Sequence, residues 1–173
     1  VTGIHLRDFR SYERLDLAVP GRLTILVGPN AVGKTNIVEA VQLLTAGQSF
    51  RRARSADMLR HGAAAGRAQI EATDGNRQLD IALALDEGSR RFSLNGKPKR
   101  PADLRGLVPS VTFTPDDLDL IKGAPAARRD ALDSLGVQLN RNYAVILKDM
   151  EKVLRHKNRL LKDGQLAMLD AVN

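Results

Sequence analysis

Apolar side chains at Ile4, Leu6 and, after an intervening pair, Phe9 stand among polar neighbours, a pattern that predicts an amphipathic strand over residues 3–9. Leu15, Leu17 and Val19 alternate with Asp16 and Ala18 and predict a second strand, closed by Pro20-Gly21. The apolar run Leu23, Ile25, Leu26 and Val27 predicts a short buried strand. Ile37, Val38, Val41, Leu44 and Thr45 then recur at helical spacing, with Gly47 placed to stop that helix. Ser55 is positioned to cap a short helix through Arg60, ended by Gly62. Residues 67–73, 77–85 and 90–94 predict three strands. Asp74-Gly75 is a hairpin turn between the first two, Glu87-Gly88 breaks before the third, and Asn95-Gly96 closes it. Lys97 to Arg100, with Pro98 inside it and Pro101 following, reads as a loop, and residues 110–114 return to strand until Pro115.

From Pro125 the period changes. Proline suits the first position of a helix, and Leu139, Tyr143, Ile146, Met150 and Val153 then step by four and three, with Lys157 and Leu160 following. This is a heptad seam, and it predicts a continuous helix from about 140 to 162. Few residues follow Gly164, so the seam implies a packing partner beyond this stretch.

Between the third predicted strand and the first predicted helix lies Gly28-Pro29-Asn30-Ala31-Val32-Gly33-Lys34-Thr35, which fits G-x-x-x-x-G-K-[ST] without mismatch. Strand, glycine loop and helix in this order are what a triphosphate site needs. Backbone N–H groups and the helix N-terminus offer partial positive charge to phosphate. Lys34 adds a full charge toward the β and γ oxygens, and the Thr35 hydroxyl can ligate Mg²⁺. The motif therefore predicts a bound nucleoside triphosphate with Mg²⁺, or descent from a part that bound one. The chain reads as α/β, a P-loop lobe with mixed strands over residues 1–123 followed by a helical segment, 124–173, that begins a second subdomain.

Charge adds a second expectation. Of 173 residues, 27 are Lys or Arg and 20 Asp or Glu, a formal net charge of +7 with pI near 10.1. The excess is clustered at Arg51, Arg52, Arg54 and Arg60, at Arg90 to Arg105 including Lys97, Lys99 and Arg100, and at Arg155 to Lys162. Such clusters attract polyphosphate backbones. Arg51, Arg52, Arg54, Lys97, Lys99 and Arg100 are the candidate DNA contacts. A solvated cationic face is the competing explanation. Aromatic residues make up only 3% of the chain, so base stacking is a poor candidate for the main binding term. Cysteine is absent, which excludes disulfides and thiolate metal sites and fits a reducing compartment. No apolar run approaches the ~18 residues of a membrane span, and the N-terminus lacks the pattern of a signal peptide. A cytoplasmic protein is expected. His5, His61 and His156 have no spacing that suggests a metal site.

Beyond the P-loop, several segments carry a family likeness. Leu6-Arg7-Asp8-Phe9-Arg10-Ser11-Tyr12 resembles the opening of the SMC-like ATPases, and Gly28 to Asn36 resembles their G-x-N-x-x-G-K-[ST]-[NS] loop. Leu43 to Arg51, Phe113-Thr114-Pro115-Asp116-Asp117-Leu118 and Lys122 to Asp133 are similar to the RecF family within that group. The resemblance implies an ABC-type head that dimerises around ATP, binds gapped and double-stranded DNA without sequence preference, and acts with RecR and RecO at single-strand gaps in bacterial DNA repair, associated with the nucleoid. It implies Gly28, Pro29, Asn30, Ala31, Val32, Gly33, Lys34, Thr35 and Asn36 as the nucleotide loop, with Arg10 close to the phosphates. Ala31 stands where many members have glycine, so alanine is mildly strained there if the position needs positive φ. Full-length relatives roughly double this length and carry the signature motif and Walker B strand in their other half. The expected activity is a weak DNA-dependent ATPase of the longer protein, with residues 1–173 alone inactive.

Ile81-Ala82-Leu83-Ala84-Leu85-Asp86-Glu87 also has the form of a Walker B strand, which would make Asp86 a Mg²⁺ partner and Glu87 the catalytic base. Gln78, Asp80 and the Asp-Glu-Gly-Ser run instead suit a hairpin strand entering a turn, the preferred reading. Asp116 and Asp117 follow the 110–114 segment where the family's Q-loop is expected, without a glutamine. The rival functions are another SMC-like head, such as one joined to a nuclease, and a nucleic-acid-binding module whose P-loop does not turn over.

Overall fold

A computed structural model describes residues 1–164. They form two compact units, Val1–Phe113 and a second from Thr114 onward.

The first unit is built on a six-stranded sheet in the order β2-β1-β3-β4-β5-β6. Its strands are β1 (Gly3–Phe9), β2 (Tyr12–Ala18), β3 (Ala65–Thr73), β4 (Gln78–Asp86), β5 (Arg90–Leu94) and β6 (Lys97–Lys99). Every pairing is antiparallel. Such a sheet can bury one face and leave the other wet. Ile4, Leu6, Ala68, Ile70, Ile81, Leu83, Leu85 and Phe92 fill the buried face. His5, Arg7, Asp16, Arg67, Gln69 and Glu71 line a shallow polar hollow on strands β1, β2 and β3. Asp8 has φ 46°, and at this left-handed residue the strict alternation of β1 gives way, so that Phe9 is fully buried with Ile4 and Leu6. The spacing Ile4, Leu6, Phe9 records that break.

Helix α1 (Lys34–Ala46) lies against β3 and β4, burying Ile37, Ala40, Leu43 and Leu44. Val38, part of the expected stripe, is instead 41% exposed. Gly47 closes the helix in the left-handed conformation, its N–H donating to the Leu43 carbonyl. The short helix α2 (Ser55–Met58) begins one residue earlier than expected, with Arg54 at the cap position, and ends before Arg60. Its reach is cut because Leu59 is drawn into a bridge with Phe9, and the Arg60 N–H donates to the Asp8 carbonyl. Helix α3 (Pro101–Leu104) opens on proline and buries Leu104.

Two expected strands are corrected. Leu23 to Val27 carries no ladder, and Leu23, Ile25 and Val27 are 79%, 72% and 89% exposed. Residues 110–114 likewise form no strand, and Val111 and Phe113 are exposed. A strand exists only through hydrogen bonds to a neighbour, and no described strand pairs with either segment. The opposite correction applies to Lys97–Lys99, expected as loop but paired to β5 as an edge strand. Proline is tolerated there because an edge strand leaves one side of its backbone unpaired.

In the second unit a 3₁₀ turn (Pro115–Leu118) and α4 (Asp119–Lys122) precede α5 (Pro125–Leu139) and α6 (Arg141–Lys162). The expected continuous helix from about 140 to 162 is α6, and Asn140 separates it from α5, which holds Leu139, the first residue of the seam. The Asn140 side chain accepts from the Asn142 N–H and so caps α6, leaving Leu139 at the end of α5. Tyr143 bonds Asp133 across the pair at 2.5 Å, its ring seated where a Cβ on Gly136 would stand 2.7 Å away. Ile146, Met150 and Val153 of the seam are exposed, whereas Leu160 is buried. Among the described residues no helix is long and apolar enough to cross a membrane.

Candidate functional site: the phosphate loop and its surroundings

The loop from Gly28 to Gly33 owes its shape to left-handed backbone. Ala31 has φ 64° and Gly33 φ 107°, and Gly33 is the N-cap of α1. No side chain caps that helix, and its first turn carries no acidic residue. A 13-residue helix therefore presents uncapped N–H groups and the positive end of its dipole at the loop. The Lys34 ammonium folds back over the loop and donates to the carbonyls of Gly28 at 2.7 Å and Pro29 at 2.6 Å. Thr35 is exposed in the first turn. Together these gather an ammonium, an uncapped helix end and a hydroxyl on one loop, a donor set that fits a phosphate chain and its divalent ion.

Beneath the loop lies a polar cluster that the sequence pattern did not reveal. Glu39 is completely buried on α1. It accepts from Arg10 Nε at 3.0 Å and Arg10 Nη2 at 2.7 Å, a two-point contact. It also accepts from Arg51 Nη1 at 2.8 Å and Ser49 Oγ at 2.5 Å. Burial would raise the Glu39 carboxyl, but the hydrogen bonds from Arg10 and Ser49 and the charges of Arg10 and Arg51 outweigh it and hold the carboxyl below its ordinary value. Arg51 Nη1 reaches Asn36 Oδ1 at 2.8 Å as well, and Asn36 Nδ2 donates to Ser11 Oγ at 3.1 Å. Ser11 and Tyr12 then close on Gly33, where a Cβ would stand 2.6 Å from Ser11 Oγ.

Of the expected site residues, Gly28 through Asn36 form one loop-and-helix start. Arg10 joins that neighbourhood through Glu39 and also donates to the Asp57 carbonyl. Ser11, Glu39 and Ser49 were missed. The one available signal for Glu39 was its position between Ile37 and Ala40, an acid inside the apolar stripe of the helix. The candidate DNA contacts do not form a single group. Arg51 is held by Glu39, Arg54 is paired with Asp57, and Arg100 is paired with Asp103 at the start of α3. Lys97 and Lys99 are exposed on β6, and Arg52 is exposed with φ 50°.

Asp86 ends β4 as a turn residue. It accepts from the N–H groups of Gly88 and Ser89 and from the Ser89 hydroxyl, and pairs with Arg91. The hydrogen bonds from Ser89 lead the effects that hold its carboxyl below the usual range. Glu87 is exposed in the β4–β5 turn. Residues 81–87 thus fold as the hairpin reading requires. Among the described residues, no group of three or more acidic, histidine or cysteine side chains is arranged to hold a metal.

Comparison with known proteins agrees with this geometry. The model of the RecF/RecN/SMC N terminal domain matches residues 1–169. The DNA replication and repair protein RecF of Streptomyces avermitilis is 43% identical over 171 residues, covering 96% of this chain and 45% of the relative. RecF of a Picosynechococcus strain is 39% identical over 164 residues, covering 94% and 42%. The chain therefore spans less than half the length of these relatives. Among solved structures, the recombination mediator protein RecF with ATP, of the RecFOR pathway, superposes with a TM-score of 0.82 at 26% identity, covering 99% of this chain and 49% of that one. The SMC head domain of Thermotoga maritima gives 0.52 at 25% identity over 60% of this chain and 40% of that one. On its P-loop architecture and on the match along nearly its whole length, this chain belongs to the RecF/RecN/SMC N-terminal domain family, on its RecF side.

Proposed function

We propose that this chain is the nucleotide-binding portion of an ATP-dependent DNA repair mediator of RecF type. Its P-loop takes ATP with Mg²⁺, and ATP draws two heads together. The assembled protein engages DNA at single-strand gaps alongside RecR and RecO. The observation that carries this reading is the Gly28–Thr35 loop, which combines left-handed backbone, an uncapped helix end and the Lys34 ammonium in one short stretch. The likeness to a RecF structure solved with ATP supports it.

In this reading Lys34 leaves the Gly28 and Pro29 carbonyls for phosphate oxygens, the loop N–H groups hold the chain of phosphates, and Thr35 is the ligand for Mg²⁺, which neutralises phosphate charge when bound. Hydrolysis is slow and DNA-dependent, and it needs groups outside residues 1–173. A fluorescent ATP analogue titrated into the intact protein and its Lys34→Ala variant tests the assignment. Loss of the charge-assisted bonds of Lys34 lowers affinity by about 10- to 100-fold, with the folded content unchanged. Equal affinity in both would remove the P-loop assignment.

A further inference from the structure

The cluster beneath the phosphate loop is a closed circuit. Glu39 holds Arg10 and Arg51, Arg51 holds Asn36, Asn36 holds Ser11, and Ser11 is bonded through the chain to Arg10. The circuit joins the β1–β2 turn, the first two turns of α1 and the loop that follows α1. One of its members, Ser11, presses on Gly33 at the end of the phosphate loop. Glu39 is its only acid and has no exposed surface. Asn36 touches the loop by sequence, two residues past Lys34, whereas Glu39 lies a full turn deeper.

We infer that Glu39 is a positioning residue for nucleotide binding: it acts through Arg10 and Arg51 to hold Asn36, Ser11 and the Gly33 end of the phosphate loop in their binding conformation. This rests on the nucleotide reading above. Two features separate positioning from charge. Removing the carboxylate raises the local positive charge by one unit, which by itself favours a polyanionic ligand. Removing it also releases two guanidinium groups that one buried carboxylate holds, and misplaced groups lose binding and rate steeply. Positioning therefore makes binding weaker on loss of Glu39, and pure electrostatics makes it tighter.

The experiment uses the intact protein and a fluorescent ATP analogue, below the melting temperature of every variant. Saturable binding by the parent, weakened about 10- to 100-fold in Lys34→Ala, first establishes the nucleotide site; its absence would refute the P-loop reading and this inference with it. Given that binding, Glu39→Gln lowers affinity about tenfold. In a double-mutant cycle with Asn36→Ala, the two losses are less than additive because both open the same circuit. Affinity in Glu39→Gln equal to or tighter than the parent's overturns the inference, as do fully additive losses. Should Glu39→Gln not fold, Ser49→Ala decides: it removes one bond to Glu39 while leaving both ion pairs, a several-fold loss of affinity supports positioning, and unchanged affinity overturns it.

Discussion

Gly66 on β3 lies so close to the end of β1 that a Cβ placed on it would stand 2.5 Å from the Asp8 carbonyl oxygen. The same Cβ would meet Leu59 Cδ2 at 3.0 Å and the Arg7 carbonyl at 3.2 Å. Two of these three atoms are backbone and cannot swing aside. Asp8 is itself the left-handed residue that precedes the buried Phe9, so a shift there disturbs the core directly.

Gly66→Ala therefore destabilises the protein by about 1–3 kcal/mol, the usual range for forcing extra atoms into a packed site. Denaturant unfolding of parent and variant checks this. A midpoint unchanged within error would mean that β1 and β3 can separate freely at this place.

Ala31 has φ 64° in the phosphate loop. An L-residue with a Cβ costs about 1 kcal/mol there, and glycine avoids that cost. Ala31→Gly raises thermal stability slightly despite the added freedom of the unfolded chain, and it preserves nucleotide affinity because the loop already has this shape. A thermal melt and a nucleotide titration together test it. A lower melting temperature would show that the loop leaves this conformation in solution.

The places where sequence pattern and structure agree and differ have physical causes. Ile4 and Leu6 marked the buried side of β1 because burial is written as alternation, and Phe9 joins them where left-handed Asp8 breaks it. Leu23 to Val27 and residues 110–114 have strand composition but no ladder, because pairing depends on a neighbouring strand that local pattern does not supply. Lys97–Lys99 was hidden for the reverse reason: its residues are charged and proline-bearing, yet Asn95-Gly96 folds them back onto β5. Of the site, the loop from Gly28 to Thr35 was legible because its chemistry is local. Glu39 was not, because its partners come from residues 10, 49 and 51.

Glu39 also has a signature in acid. Its carboxyl is held below the ordinary value when folded, so between the two pKa values the unfolded chain binds more protons and acid favours unfolding. Its contribution is complete above the ordinary glutamate value and is lost as pH falls through the folded value below it. Asp57, Asp86 and Asp103 are lowered as well, so the test is a difference. Stability measured from pH 6 to pH 3 falls more steeply in the parent than in Glu39→Gln. Parallel curves would show that Glu39 titrates alike in both states.

DNA contact by the edge strand separates two roles for Lys97 and Lys99. Both are exposed on β6. As phosphate contacts, each one removed lowers the slope of log affinity against log salt by about 0.9 on duplex DNA. As guards of an open sheet edge, they instead prevent strand-to-strand association, and their loss leaves DNA binding unchanged while the protein self-associates. The Lys97→Ala, Lys99→Ala double variant of the intact protein is expected to lose about 2 from the salt slope, with affinity falling uniformly across DNA sequences. Arg51→Ala, by contrast, acts mainly on the Glu39 cluster and changes the slope little, because that guanidinium is already engaged by a buried carboxylate. Salt titrations of parent, double variant and Arg51→Ala, with light scattering alongside, distinguish these outcomes. An unchanged slope in the double variant together with new oligomers assigns β6 to edge protection and moves the DNA-binding face elsewhere.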